Sequence, residues 1–147
     1  MVTLALGERV RQLTEVCRSE WQGAREDMPL MGVSRHIVVA DTDEEAKALV
    51  RPAYARWRGS MARLWEDRGN GFPLAAHLPL EWDTAEAMGH GCAGSPDTVR
   101  AFVAREAAAG ITYFVSALAF GDLPLAAALR SVELFAGQVM PAFAAKS

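Results

Sequence analysis

The feature that most constrains this sequence is a helix start followed by a long apolar segment, between Gly94 and Asp122. Ser95 is a favourable helix N-cap, Pro96 suits the first helical position, and Asp97 favours the helix dipole. Residues 111–120 are then apolar almost throughout and rich in β-branched and aromatic residues, which predicts a strand buried on both faces. A helix followed by such a strand predicts an α/β fold.

The preceding half of the chain shows the same alternation. Apolar residues at helical spacing predict a helix over residues 7–24, and the apolar run at residues 30–40 predicts the first strand. Thr42 and Glu45 form a capping box, so the next helix is expected to begin there. Pro52 lies inside this helix, removes one backbone hydrogen bond, and is expected to bend it.

Three further segments need interpretation. Trp57 and Trp65 recur at helical spacing, and we interpret them as core residues rather than as an aromatic ligand site. Residues 69–83 contain two glycines and two prolines, which predicts a long loop of the kind that often forms lids or insertions. Residues 89–93 are a weak strand candidate, and Asp122 is expected to cap the last helix rather than to act as a catalytic acid.

Composition limits the class of protein. The chain has 147 residues and a net charge of −3, which suits one domain, 1–147, and gives no reason to expect a nucleic-acid partner. Cys17 and Cys92 lack paired spacing, so we expect free thiols in a reducing compartment, with a disulfide or a metal site as the alternative. The first residues contain no apolar run long enough for a signal peptide or membrane span, and the expected location is therefore cytoplasmic, with no membrane partner.

Several motifs in order resemble the carboxy-terminal part of the luciferase-like flavin-dependent monooxygenases. In that family a strand leads into an acidic helix start, as in GVSRHIVVADTDEEA at residues 32–46. A G-[ST]-P-[ED]-x-V helix start follows, here GSPDTV at 94–99. The next strand is of the G-[IV]-x-Y-F-V type and ends in F-G-D, here GITYFV at 110–115 and FGD at 120–122, and RSVELFAGQVMP at 130–141 resembles the family's last helix.

This resemblance implies a helix-rich α/β fold that is part of a (β/α)₈ TIM barrel, namely its last two to three strand–helix units. It also implies reduced FMN or a deazaflavin as cofactor, and a small organic molecule oxidised with oxygen as substrate. The family's main flavin-phosphate loop and much of its flavin-ring pocket belong to earlier strands, which this sequence does not match. Two or three strands cannot close a barrel, so we expect a homo-oligomer or association with a complementary barrel half.

The resemblance also suggests a catalytic residue. Alkanesulfonate-type members carry a G-x-R-x-H strand, and Gly32 and His36 match it while Ser34 stands in place of the arginine. His36 is therefore the candidate acid, base or hydrogen-bond donor to the flavin adduct, and Ser34 the candidate substrate contact. The missing arginine argues against a sulfonate substrate, and Arg35 should point to the opposite face of the strand. The alternative is a core or interface histidine.

The helix start at Gly94 and Ser95 is the candidate cofactor site. Backbone N–H groups at a helix N-terminus favour anions, so these residues could contact the phosphate of a cofactor or substrate. The alternative is a well-capped helix with no ligand. His90 and Cys92 should lie near the same rim, but two ligands are too few for a metal site, and we expect no metal.

The function expected from the resemblance is a flavin-dependent oxidoreductase, specifically a monooxygenase. A chain that matches only the end of the barrel has a second interpretation. It could be a catalytically silent fragment or an assembly subunit that binds no flavin by itself.

Overall fold

The computed structural model describes residues 2–3 and 5–144. Five α-helices and four strands alternate along these residues, which confirms the predicted α/β class. The strands are β1 (Val2–Thr3), β2 (Gly32–Val39), β3 (Gly91–Gly94) and β4 (Tyr113–Ala117). The helices are α1 (Gly7–Glu20), α2 (Asp43–Glu66), α3 (Trp82–Met88), α4 (Pro96–Ala108) and α5 (Leu125–Leu134). Shorter helical turns cover Arg25–Asp27, Phe135–Val139, which is π-helical, and Met140–Phe143.

All four strands form one parallel sheet in which β2 is central. Gly32 lies opposite Val2 of β1 and also opposite Tyr113 of β4, so these two strands occupy opposite edges of β2. His36 is likewise opposite residues of both β3 and β4. Strands β1 and β3 therefore share one edge, one after the other, while β4 covers the other edge.

Helices cover both faces of this sheet. On one face, Val38 and Ala93 pack against α2 and α3 through Val50, Tyr54 and Trp82. The other face packs against α4 and α5, in a cluster of Ile37, Val39, Phe102, Val103 and Leu134. The connection from β2 to β3, which contains α2 and α3, leads to one edge of β2. The connection from β3 to β4, which contains α4, leads back past β2 to its other edge. Right-handed crossovers in opposite directions place their helices on opposite faces. The described strands form an open sheet, and the predicted barrel arrangement is not confirmed.

Local sequence signals account for the helix starts. The Thr42 hydroxyl accepts a hydrogen bond from the Glu45 backbone N–H at 3.2 Å, which is the predicted capping interaction at the start of α2. Ser95 is the N-cap of α4 and Pro96 its first residue, as predicted. Helix α2 runs through Pro52 as one element of 24 residues, and α1 ends at Glu20, before the predicted end.

Strand β4 and helix α5 correct two expectations. The strand is shorter than residues 111–120 and is only half-buried, with Tyr113 exposed, because its outer edge has no strand beside it in the described part of the chain. Asp122 does not cap the last helix, which begins at Leu125 after Pro124. The Ser131 hydroxyl accepts a hydrogen bond from the Val39 backbone N–H at 2.8 Å. On α5, Ala128 and Ser131 are buried and Leu125 is exposed.

Three sequence interpretations have mixed outcomes. Trp57 packs against the core beside Tyr54, as expected, whereas Trp65 is exposed near the end of α2. Cys17 and Cys92 are free cysteines, as predicted. No helix among the described residues has the length and apolar character needed to cross a membrane.

Candidate functional site

A cavity of about 560 Å³ lies on the α2 face of the sheet. Among the described residues, β1 pairs with residues 32–33 of β2 and β3 pairs with residues 36–39. The cavity lies beside β2 in the gap between the end of β1 and the start of β3. The chain has three histidines, and all three line this cavity: His36, His77 and His90. The rest of the lining is mostly apolar. This convergence of polar rings in an apolar cavity marks the candidate site.

Strand alternation decides which residues of β2 reach the site. Ser34 and His36 lie on the α2 face and line the cavity together, so the structure brings the predicted substrate contact and the predicted catalytic residue to one place. Arg35 also lines the cavity, but its side chain extends to the opposite face of β2, as predicted, where it contacts Glu106 of α4. Its guanidinium donates to both carboxylate oxygens of Glu106 at 3.2 Å and to the Ala5 carbonyl oxygen at 2.8 Å.

Aromatic rings surround the imidazole of His36. Ring centroids lie 4.3 Å away for Trp57 and 4.5 Å away for Phe120, both edge-on, and 6.2 Å away for Tyr54. Burial among these rings lowers the pKa of His36 to about 4, and the nearby ring of His90 contributes to the lowering. A hydrogen bond to the backbone of His90 opposes it. His36 is therefore neutral at physiological pH and able to donate or accept one hydrogen bond.

His90 is the functional candidate whose position differs from the expectation. It lies just before the amino end of β3, not at the rim where Gly94 and Ser95 begin α4. Its carbonyl oxygen accepts a hydrogen bond from the His36 backbone N–H at 3.1 Å. Burial lowers the pKa of His90, and its Nε2 atom has no hydrogen-bond partner in the described part of the chain. It is thus a second neutral imidazole beside His36.

The long loop between α2 and α3 forms one wall of the cavity. Leu74, His77 and Leu78 of this loop are lining residues. Two side chains of α2 hold the loop down, because the Tyr54 hydroxyl donates to the Pro79 carbonyl oxygen at 2.9 Å and Arg58 Nε to the Leu78 carbonyl oxygen at 3.4 Å. The Arg58 guanidinium also lies over the Phe72 ring at 5.0 Å. The sequence predicted the loop, but neither residue's sequence context indicates that the loop places His77 in the same cavity as His36.

The predicted cofactor residues Gly94 and Ser95 lie elsewhere. Gly91 is opposite His36 and Gly94 opposite Val39, so Gly94 is about 10 Å further along the sheet. The amides there already meet an anion of the chain itself. Asp43 accepts hydrogen bonds from the Ser95 N–H at 2.7 Å and from the Thr98 hydroxyl at 2.9 Å. These bonds lower the pKa of Asp43.

Two other features carry no candidate residue. A groove of about 630 Å³ on the α4 face is lined by apolar side chains such as Phe114, Phe135 and Met140, with Ser116 as its polar member. Among residues 2–3 and 5–144, no group of three or more His, Cys, Asp or Glu side chains is placed to hold a metal ion.

One curated protein shares sequence with nearly the whole chain. It is the uncharacterized protein y4wF of Sinorhizobium fredii (strain NBRC 101917 / NGR234), which is 32% identical over 136 residues. The aligned region covers 89% of this chain and 39% of that protein, so the chain spans about two fifths of its relative. No protein-family model matches the chain.

Three solved structures share the fold. Monooxygenase RslO1 from Streptomyces bottropensis superimposes with a TM-score of 0.63 and 22% identity, over 98% of this chain. A second structure is the oxygenating constituent of 3,6-diketocamphane monooxygenase from Pseudomonas putida, a type II Baeyer–Villiger monooxygenase in complex with FMN. It superimposes with a TM-score of 0.62 and 22% identity, over 95% of this chain. Apo-MsnO8 superimposes with a TM-score of 0.56 and 23% identity, over 89% of this chain. The chain covers 41% of each of these structures.

Proposed function

We propose that this chain, which shares the fold of part of the luciferase-like flavin monooxygenases, belongs to a flavin-dependent monooxygenase that acts on a small organic substrate with reduced flavin and oxygen. The observation that carries the proposal is the likeness to two monooxygenases over 98% and 95% of the chain, one of them in complex with FMN. The four sequence motifs resemble the same family independently of the superposition.

The cavity at His36 supports a small-molecule site. Its volume of about 560 Å³ lies within the range usual for such sites, and its lining is apolar apart from a few polar groups. An enzyme that handles reduced flavin and oxygen benefits from a site that excludes water. The loop carrying Leu74 and Leu78, held by Tyr54 and Arg58, covers part of the cavity.

The residues present fit a flavin ring better than a flavin phosphate at the predicted position. Trp57 and His36 offer flat ring surfaces in an apolar cavity, which suits an aromatic ligand. At Gly94 and Ser95, the carboxylate of Asp43 takes the hydrogen bonds that a phosphate would need. Binding of a flavin phosphate there stays a prediction, and it requires Asp43 to move. The flavin, when bound, supplies the redox chemistry.

The chain's own residues then have defined tasks. Neutral His36 accepts a proton from the substrate or donates a hydrogen bond to an oxygen atom on it, since its pKa of about 4 leaves a ring nitrogen unprotonated at neutral pH. The Ser34 hydroxyl lies in the same cavity and orients the substrate by a hydrogen bond. The aromatic rings of Trp57 and Phe120 hold the imidazole in place.

The experiment that tests this function is a titration of the full chain with FMN, followed by quenching of flavin fluorescence. We expect saturable binding, and turnover of an organic substrate when the reduced complex meets oxygen. His36→Gln retains a hydrogen-bonding group but cannot take up a proton at neutral pH, so turnover should fall about a hundredfold while FMN binding persists. A folded protein, shown by circular dichroism, that binds no FMN would refute the proposal.

A second candidate function is a subunit that acts only after association. Leu125, Leu129 and Val132 form an exposed apolar stripe on α5, with 74%, 55% and 44% of their surfaces accessible. The outer edge of β4 is also unpaired in the described residues. Exposed apolar patches and open strand edges favour pairing, so the proposed partner is a second copy or a complementary barrel half. A monodisperse monomer by light scattering, with FMN bound, would contradict this candidate.

A further inference from the structure

The His36 cavity carries a cation at its rim that the proposed mechanism does not use. We propose that Arg9 binds the anionic group of an amphiphilic ligand whose apolar body lies in the cavity. Where that ligand is FMN, the inference rests on the proposed function; the site itself rests on the charges and the lining described below.

Arg9 lines the cavity from the first turn of α1 and is exposed. Its guanidinium donates to the Gln12 side-chain oxygen at 3.4 Å, and no carboxylate among the described residues lies within ion-pair distance of it. The neighbouring Glu8 pairs with Arg11 instead, at 3.3 Å. The guanidinium of Arg9 is therefore a positive charge at this opening that has no carboxylate partner among the described residues, and the α1 dipole adds potential of the same sign.

Three of the other polar side chains that line the cavity, those of Arg35, His36 and His90, do not compete for an anion, whereas His77 lines the cavity and is exposed. Arg35 is 1% exposed, and its donors are taken by Glu106, Ala5 and the Ser34 carbonyl. Burial keeps His36 and His90 neutral at physiological pH, as their lowered pKa values require. Among the described residues that line the cavity there is no Asp or Glu to repel an anion.

The apolar side chains inside the cavity indicate the chemistry of the part of the ligand that Arg9 does not bind. Leu6, Trp57, Met61, Leu74 and Leu78 give an apolar surface that favours an uncharged hydrocarbon or aromatic body. A molecule with a charge at both ends would leave one of them unpaired inside, which is costly. The shared chemistry is therefore one anionic group, phosphate or carboxylate, on one apolar body, as in FMN or a fatty acid.

The test compares matched ligands on matched variants of the full chain. FMN and riboflavin differ by the phosphate, and octanoate and octanol differ by the negative charge. Arg9→Gln removes the proposed anchor, and Arg11→Gln removes a nearby arginine that does not line the cavity. Flavin binding is followed by fluorescence quenching and the eight-carbon ligands by calorimetry. We expect the anionic member of at least one pair to bind about tenfold more tightly, a preference lost in Arg9→Gln and kept in Arg11→Gln.

The outcomes separate this inference from the proposed function. Loss of an octanoate preference in Arg9→Gln without any flavin binding would support the anion site and count against a flavin enzyme. Flavin binding that is equal for FMN and riboflavin, with no octanoate preference, would overturn the anion site and leave the flavin enzyme standing. Equal losses in Arg9→Gln and Arg11→Gln would also overturn it, because general surface charge would then explain the effect. Absence of binding by all four ligands to folded protein overturns it as well.

Discussion

The carboxylate of Asp43 accepts a hydrogen bond of 2.7 Å from the backbone N–H of Ser95. Asp43, the first residue of α2, thereby accepts a hydrogen bond from the backbone at the start of α4. The amino ends of α2 and α4 therefore lie next to the same carboxylate. Thr98 completes the contact, with its hydroxyl 2.9 Å and 3.0 Å from the two carboxylate oxygens. The sequence predicts an anion site at this helix start, and in the structure the carboxylate of Asp43 occupies that position.

Replacing Asp43 should therefore destabilise the protein. Asp43→Asn keeps the shape but removes the charge that faces the Ser95 N–H group, and we expect the free energy of unfolding at pH 7 to fall by about 1 kcal/mol. Glu44→Gln, an exposed neighbour, is the matched control and should change little. Urea denaturation measures both. The pKa of Asp43 is lowered in the folded state, so its contribution is present above the ordinary pKa and lost as pH falls through the folded value. Equal stability of both variants at pH 7 would contradict the contact.

His36 should make the free energy of unfolding depend on pH at higher pH values than Asp43 does, namely between about 6.5 and 4. Its pKa falls from an ordinary 6.5 to about 4 on folding, so between these values the unfolded chain binds more protons than the folded one. Stability should consequently decrease as pH drops from 6.5 towards 4, by at most about 1.4 kcal/mol per pH unit from this group. In His36→Gln the slope of stability against pH should be shallower, because the contribution of His36 is removed. Some slope should remain, because the pKa of His90 is also lowered in the folded state. Denaturation midpoints from pH 7 to pH 5 test this, and identical slopes would show that His36 titrates normally.

Much of the fold is accessible from local sequence signals. The capping box at Thr42 and the cap at Ser95 predicted the starts of two helices correctly, because each signal lies within a few residues of the atoms it governs. The prediction for Asp122 was wrong because any acid after a strand looks like a cap. Helix α5 begins instead at Leu125 after Pro124, and its side that faces the sheet carries Ser131, which contacts Val39 far away in sequence.

The candidate site was harder to predict than the fold. Alternation along β2 correctly placed Ser34 and His36 on one face and Arg35 on the other. The pairing of β4 with β2, and the meeting of His77 and His90 with His36, depend on crossovers and a long loop, which connect residues far apart in sequence. The spacing of motifs cannot encode them. Whether His36, Ser34, Gly94 and Ser95 act on a ligand stays a prediction.

The buried ion pair of Arg35 and Glu106 should be costly to break. Arg35 is held between this carboxylate and backbone oxygens and is almost fully buried, so removing the acid leaves a buried cation. We expect Glu106→Gln to lower the free energy of unfolding by about 3 kcal/mol. The double change Arg35→Met with Glu106→Leu should recover most of that loss, since apolar side chains need no partner. Urea denaturation of the two variants and the parent tests this. A double variant less stable than Glu106→Gln would contradict it.

Gly121 should tolerate no side chain. Its φ of +60° is a conformation that favours glycine, and an added Cβ atom would clash with the carbonyl oxygen of Ala53 in α2. The clash is with backbone, which cannot rotate away, so we expect Gly121→Ala to lower the free energy of unfolding by about 2 kcal/mol or more. Gly59→Ala is the matched control: Gly59 lies inside α2 with no atom within 4 Å of the new Cβ. That change should raise stability by about 1 kcal/mol, because alanine is the better helix former. Thermal and urea denaturation of both variants decide the matter. If Gly121→Ala were as stable as the parent, the turn after β4 could not lie against α2 as described.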